Sequence, residues 1–275
     1  MIRSHVYLAR CMLKRFSIRD DNNHLIVAYY DFGDKKIKYD SITSFNRVEG
    51  YYSNVNEAKL KRFSEEKIGN VIENLKNNFN NYGLNFKIST KDKKIIKKYI
   101  SYQLIRDDSM MEMIKGYMRD GNINSNFLSN NKRIELIMRR KMISSMGLKS
   151  LKNYFISYEE PLRMFFSSVS DLGIVISFNS TERKYVLTSS SSALFQYDPG
   201  YFMMNFTLTP EISITLCNLN TMKSVLSIDD DFILTEAKDE KVILNYNKEL
   251  YTVAKKNLPN ILVGFEKELK ELING

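Results

Sequence analysis

The sequence predicts an α+β fold, on three observations. β-forming segments gather at His24–Asp40 and again from Gly173 to Cys217. Between them, apolar residues recur at helical spacing from Ile68 to Met146. Strands and helices do not alternate regularly, which argues against a doubly wound nucleotide-binding sheet. The expected layout is an N-terminal β-hairpin, a helical middle, and a C-terminal antiparallel sheet with terminal helices. Regions 1–150 and 151–275 are expected to form one integrated domain.

The hairpin is read from His24–Asp31 and Lys36–Asp40, joined across Phe32-Gly33-Asp34-Lys35, where Gly33 supplies turn freedom. Ser64 before Glu65-Glu66 reads as the N-cap of a helix, with the acids matching its positive end. Ile68, Val71, Ile72, Leu75 and Phe79 form its apolar stripe, and Gly83 marks its end. A second helix is predicted from Thr90 to Arg106 on Ile95, Ile96, Tyr99, Ile100 and Leu104. Two more follow at Met110–Arg119 and Lys132–Met146. Pro161 is expected to start or kink a segment.

Gly173–Phe178 and Lys184–Thr188 read as paired strands turning at Asn179-Ser180-Thr181. Phe202–Leu208 and Ile212–Cys217 form a further pair, with Phe232-Ile233-Leu234 added to the same sheet. Tyr246–Leu258 and Leu262–Ile273 are expected to close the chain as helices.

At 275 residues, 43% hydrophobic and 12% aromatic, the chain has the composition of a globular protein rather than a disordered one. No apolar run approaches the ~20 residues of a membrane-spanning helix. The N-terminal Met1-Ile2-Arg3-Ser4-His5 lacks the profile of a signal peptide. A soluble, cytoplasmic protein without a membrane partner is the expectation. Cys11 and Cys217 are expected to be reduced thiols, with one bridge between them left open.

The chain's charge is divided unequally. Residues 1–150 hold 29 Lys+Arg and 16 Asp+Glu, a net of +13, whereas residues 151–275 hold 12 and 16, a net of −4. A basic region of this kind attracts polyanions. Lys91, Lys93, Lys94, Lys97 and Lys98, with Arg133, Arg139, Arg140 and Lys141, cluster on two predicted helices. Lys94, Lys97, Lys98, Arg139 and Arg140 are the candidate nucleic-acid contacts, with Tyr99 and Tyr102 placed to stack on a single strand. Solvated helix faces are the plain alternative.

Gln103 and Arg106 fall on the apolar stripe of their helix. A buried guanidinium must be paired and a buried amide hydrogen-bonded. Either the two line a polar pocket for a phosphate or carboxylate, or Arg106 makes a structural ion pair; the second is the preferred reading. Glu66 and Glu73 lie seven residues apart on one flank. Glu73, mid-helix, is the better candidate for a cation or for Arg106, though an exposed glutamate is the simpler account. His5 is a candidate general acid or base in a basic patch, with a charged N-terminal arm preferred. Asp171, Glu182 and Lys184 have the loose spacing of a metal-dependent nuclease strand, but Glu182 falls on a predicted turn. A zinc site would need His5, His24, Cys11 and Cys217 nearly all to converge.

The segment Tyr7-Leu8-Ala9-Arg10-Cys11-Met12-Leu13-Lys14-Arg15-Phe16-Ser17 resembles the opening of a bacterial family, domain of unknown function 4238. That opening reads His-Tyr-Val-Pro-x-x-x-Leu-x-x-Phe. The resemblance continues through the hairpin, the helix at Ser64–Phe79, Gln103-x-x-Arg106, Leu187-Thr188-Ser189, Phe206-Thr207-Leu208-Thr209-Pro210, Asn245 and the helix containing Ala254. The family's histidine aligns with Val6, one residue from His5, and its proline with Ala9. Its Thr-Ser-Asp-x-Pro is reduced to Thr188-Ser189-Ser190-Ser191-Ser192. If that histidine and aspartate do chemistry in the family, this chain has lost or moved it.

The resemblance implies a bacterial, cytoplasmic protein, with a mobile-element or defence association. The combined expectation is an effector that binds, and as an enzyme would cleave, RNA or single-stranded DNA. A phosphodiesterase site would use Arg106, Gln103, Glu73 and His5, with Mg²⁺ or Mn²⁺ as cofactor. The alternative is a non-catalytic subunit docking an acidic protein partner.

Overall fold

The computed structural model describes residues 3–120, 140–157, 172–188, 193–195, 203–218, 231–256 and 261–274. Strand β1 (Arg3–His5) pairs antiparallel with β5 (Arg47–Glu49) in a two-stranded ribbon. A single helical turn, α1 (Arg10–Leu13), follows β1 and buries Met12 and Leu13. Strands β2 (Ser17–Arg19), β3 (Leu25–Asp31) and β4 (Lys36–Ser41) come next.

The expected hairpin is β3–β4, with Asp31 opposite Lys36. Its turn is not built on glycine freedom. The Asp31 carboxylate accepts from the Gly33 and Asp34 backbone N–H groups at 2.9 and 3.1 Å, and Lys35 is the residue at positive φ, 52°.

The other edge of β3 is shared between β2 and β12 (Ile261–Val263), and β12 pairs in turn with β7 (Leu187–Thr188). Two expectations are corrected here. Residues 261–263 form a strand rather than the start of a helix, because Leu262 and Val263 are buried against the first hairpin. Lys184–Thr188 does not fold back on the strand before it. Only Leu187 and Thr188 are in a strand, and they belong to this first sheet.

The second sheet has the order β11–β6–β10–β9–β8, from β6 (Leu172–Asn179), β8 (Ala193–Phe195), β9 (Met203–Thr209), β10 (Ile212–Asn218) and β11 (Phe232–Ala237). Its pairings are antiparallel except β11–β6, which is parallel.

In the helical middle, Ser64 is not a cap. The helix begins at α2 (Asn54–Leu60), where the Ser53 hydroxyl accepts from the Asn56 N–H at 3.2 Å. It passes through a π turn at Lys61–Glu65 and continues as α3 (Glu66–Tyr82). Glu65 and Glu66 therefore lie inside a continuous helix and match no N-terminal dipole. Gly83, at φ 59°, ends α3. Helix α4 (Thr90–Arg106) starts where predicted, its Ser89 hydroxyl accepting from the Asp92 N–H at 3.0 Å.

Helix α5 (Asp108–Asp120) follows directly. Of the predicted Lys132–Met146 helix, α6 (Arg140–Ser145) lies within the described residues. The sequence missed α7 (Leu148–Ser157), as well as β1, α1, β2, β5, α2 and β8. Pro161 lies outside the described residues. Helices α8 (Glu240–Lys256) and α9 (Glu266–Asn274) close the chain, α8 starting six residues before its predicted Tyr246.

The main core joins the α3, α4, α5 and α7 stripes to the inner face of the second sheet. Phe79 stacks on Phe178 at 4.3 Å, and Lys76 reaches Glu211 at 3.2 Å, so α3 is held against that sheet by both apolar and charged contacts. A smaller core places α8 and α9 on the first sheet through Tyr30, Val186, Leu250, Leu262 and Leu269. Buried Asn247 fastens the strand approach to α8, donating to the Lys184 carbonyl at 2.8 Å and accepting from the Val186 N–H at 3.0 Å. Among the described residues no helix is long and apolar enough to cross a membrane.

Candidate functional site

Charged side chains converge at two places on α4, one closed and one open. The closed one surrounds Arg106, 2% exposed, whose Nη2 donates to Glu65 Oε1 at 2.6 Å. Burial by itself would weaken the arginine's charge. Glu65, and then Tyr52, more than reverse that and hold the guanidinium protonated.

The partner is thus Glu65, not Glu73. Glu73 is 59% exposed and bonds Arg15 at 2.8 Å, because its flank of α3 faces away from the core. Glu65 lies three residues before Ile68 and seven before Ile72, on the apolar stripe itself. That position was the legible signal, hidden by reading Ser64 as a cap.

His5 is in the same centre rather than on a charged arm. It is 8% exposed in β1, and its Nδ1–H donates to the Phe45 carbonyl at 3.2 Å. Burial, opposed by Glu65 and assisted by Arg106 and Arg47, pushes it down to about 4. Burial raises Glu57, against the pull of Ser4 and Arg106. Cys11, nearby on α1, is pushed up to about 12 by burial and Glu65. A thiol so shifted is protonated and unreactive at neutral pH.

Lys152, absent from the sequence candidates, adds a second buried cation. It contacts Asp108 at 2.5 Å, donates to the Arg106 carbonyl, and sits over the Tyr7 ring at 5.0 Å. Burial lowers it, against Asp108. Its place among Leu148, Leu151, Phe155 and Ile156 on the α7 stripe could have revealed it.

Among the described residues, Arg106 Nε and Nη1 and Gln103 Nε2 are buried without hydrogen-bond partners. Of the four proposed catalytic residues the fold gathers Arg106, Gln103 and His5 and excludes Glu73.

The open place is a groove of about 880 Å³ between α3 and α4. Lys67, Asn70, Val71 and Asn74 line it from α3, and Lys91, Asp92, Lys94, Ile95 and Lys98 from α4. Lys67, Asn70, Val71 and Asn74, and likewise Lys91, Lys94, Ile95 and Lys98, follow the spacing i, i+3, i+4, i+7, so each helix offers one complete stripe, with Asp92 beside the second. Burial and the neighbouring Lys67 cation lower the Lys98 ammonium, so the groove concentrates positive charge at that end.

Lys94 and Lys98 thus line a shared concave surface. Lys97 does not: with Lys93 it is bound to Asp231, at 2.5 and 3.3 Å, and both lie over the Phe232 ring. These two lysines point toward the second sheet and help fasten α4 to it. Tyr99 and Tyr102 are 2% and 1% exposed and unavailable for stacking, since both belong to the core face of α4. Arg140 is in α6, with its side chain outside the described set; Arg133 and Arg139 lie outside the described residues.

Of the nuclease-like trio, Asp171 lies outside the described residues, Glu182 is on an exposed bend, and Lys184 approaches Glu211 at 3.7 Å. Among the described residues no three His, Cys, Asp or Glu side chains are grouped to hold a metal ion. Exposed His24 pairs with Asp20 at 3.5 Å, and Cys11 and Cys217 are free thiols.

In comparison with known proteins, no family model, no curated protein and no solved structure matches the chain.

Proposed function

We propose that the protein binds single-stranded nucleic acid, RNA or DNA, along the groove between α3 and α4. The observation that carries this reading is four lysines facing one concave surface with a single aspartate among them. Such an arrangement holds a row of phosphates and releases their counterions. Without an aromatic lining residue, charge rather than stacking supplies the affinity.

The Arg106 centre supports a structural role beside this, because its guanidinium is buried and already paired. The resemblance to the domain of unknown function 4238 family, and with it a bacterial, cytoplasmic and defence-type setting, belongs to the same proposal.

Fluorescence anisotropy with labelled single-stranded RNA and DNA across a salt series tests it. Four lysines predict a slope of log K against log salt near −3, at about 0.7 per phosphate contact. Undetectable binding at low salt sinks the reading and leaves the groove to an acidic protein partner. Oligonucleotide length after incubation with Mg²⁺ or Mn²⁺ separates a binder from a nuclease.

A further inference from the structure

The two walls of the groove differ in chemistry. Along α4, Lys91, Lys94 and Lys98 form a cationic row. Along α3 the corresponding row is Lys67, Asn70 and Asn74, so beyond Lys67 its polar groups are neutral amides. Helices α3 and α4 follow one another through residues 83–89 and pack along the groove, with Lys67 in the first turn of α3 and Lys98 at the middle of α4; the Lys67 cation is near enough to help burial lower Lys98. The Lys67–Lys98 end therefore carries two facing cations. The asparagines face the middle and the far end of the lysine row, where Asp92 sits.

Buried Val71 and half-buried Ile95 give the floor an apolar strip. Asn70 and Asn74 are exposed, and no hydrogen bond ties either side chain down among the described residues.

From residue 91 to 98 the lysine row rises about 10 Å at 1.5 Å per residue. Lysine only donates, and a phosphate contact carries no base information. An asparagine amide both donates and accepts, which matches the adjacent donor and acceptor groups on a base edge.

We infer that the groove is two-sided: the α4 lysine row holds the phosphates of a single strand, and Asn70 and Asn74 read its base edges. This rests on the nucleic-acid reading and adds base preference to it. The apolar strip between the rows receives the sugars and the base faces, and the Lys67–Lys98 end anchors the strand.

The test is anisotropy with short labelled oligo(A), oligo(C) and oligo(U) RNA on three proteins. These are wild type, Asn70→Ala/Asn74→Ala, and Lys94→Gln/Lys98→Gln, each checked for an unchanged melting curve. Wild type should separate the three oligomers by at least about fivefold. The asparagine pair should bring them to near parity while the salt slope stays where it was. The lysine pair should weaken all three together and flatten the slope by about 1.4. Equal affinities in wild type, or a preference that survives the asparagine pair, overturns the two-sided groove. A lysine pair that binds like wild type overturns the interface itself.

Discussion

Lys98 and Arg106 stand on the same helix, about two turns apart, and the solvent around them separates what their charges do. Arg106 is enclosed, paired with Glu65, and flanked by His5, Glu57 and Tyr52. Its charge is held in a low-dielectric setting where an unbalanced partner is costly. Lys98 opens onto a groove lined also by Lys67, Lys91 and Lys94, where the lining charges are mostly like its own. Just before Lys98 in α4, Lys93 and Lys97 are bound by Asp231. One basic helix thus carries a charge that organises the interior, two that fasten it to a sheet, and three that line the groove.

Removing the buried charge should produce the largest effect. Arg106→Ala is expected to lose about 3–5 kcal/mol of folding stability by urea denaturation, since Glu65 is left without its cation. Arg106→Met with Glu65→Leu should recover most of that loss. If the single variant loses under ~1 kcal/mol, the contrast between a structural and a groove-lining cation on α4 collapses.

Acid should act on the same centre. His5 falls from 6.5 to about 4 on folding, so between those values the unfolded chain binds a proton that the folded one does not. Its stabilisation is complete above pH 6.5 and is lost as pH falls toward 4, on the order of 2–3 kcal/mol. Glu57, raised on folding, has the opposite sign and offsets part of this. His5→Asn should flatten the stability–pH curve in that window; an unchanged curve would remove His5 from the buried centre.

Ser89→Ala should cost about 1 kcal/mol, because it uncaps the helix that carries both kinds of charge. A thermal melt with no shift would mean that the tertiary contacts alone hold the start of α4. Smallest of all is Glu73→Ala, expected within ~0.5 kcal/mol of wild type, since its pair with Arg15 is largely exposed. A loss rivalling that of Arg106→Ala would show that exposure is not what separates these two ion pairs.

Much of the local structure was legible. The α3 stripe and Gly83, the start of α4 behind Ser89, and the β3–β4 and β9–β10 pairs follow from spacing and turn chemistry. The buried positions of Gln103 and Arg106 were also readable from helical angle alone. What misled was local similarity between unlike structures. Ser64-Glu65-Glu66 has the composition of a helix start but lies at a π turn, whose extra residue lets one helix run through. Ile261-Leu262-Val263 is apolar enough for either state, and only the waiting edge of β3 makes it a strand.

The sequence by itself determined where α3 and α4 run, which of their faces are apolar, and that the basic charge is concentrated in the first 150 residues. Periodicity and caps act over a few residues, so they can be read along the chain. Tertiary structure decided the partners: Glu65 for Arg106, Asp231 for Lys93 and Lys97, β12 for β7, and a shared groove for Lys67, Lys94 and Lys98. A lysine on a helix is equally basic wherever it points. Whether it meets a carboxylate, a ring or open solvent depends on other elements, as far off as Asp231 is from Lys93 and Lys97, and those are brought together only when the core closes.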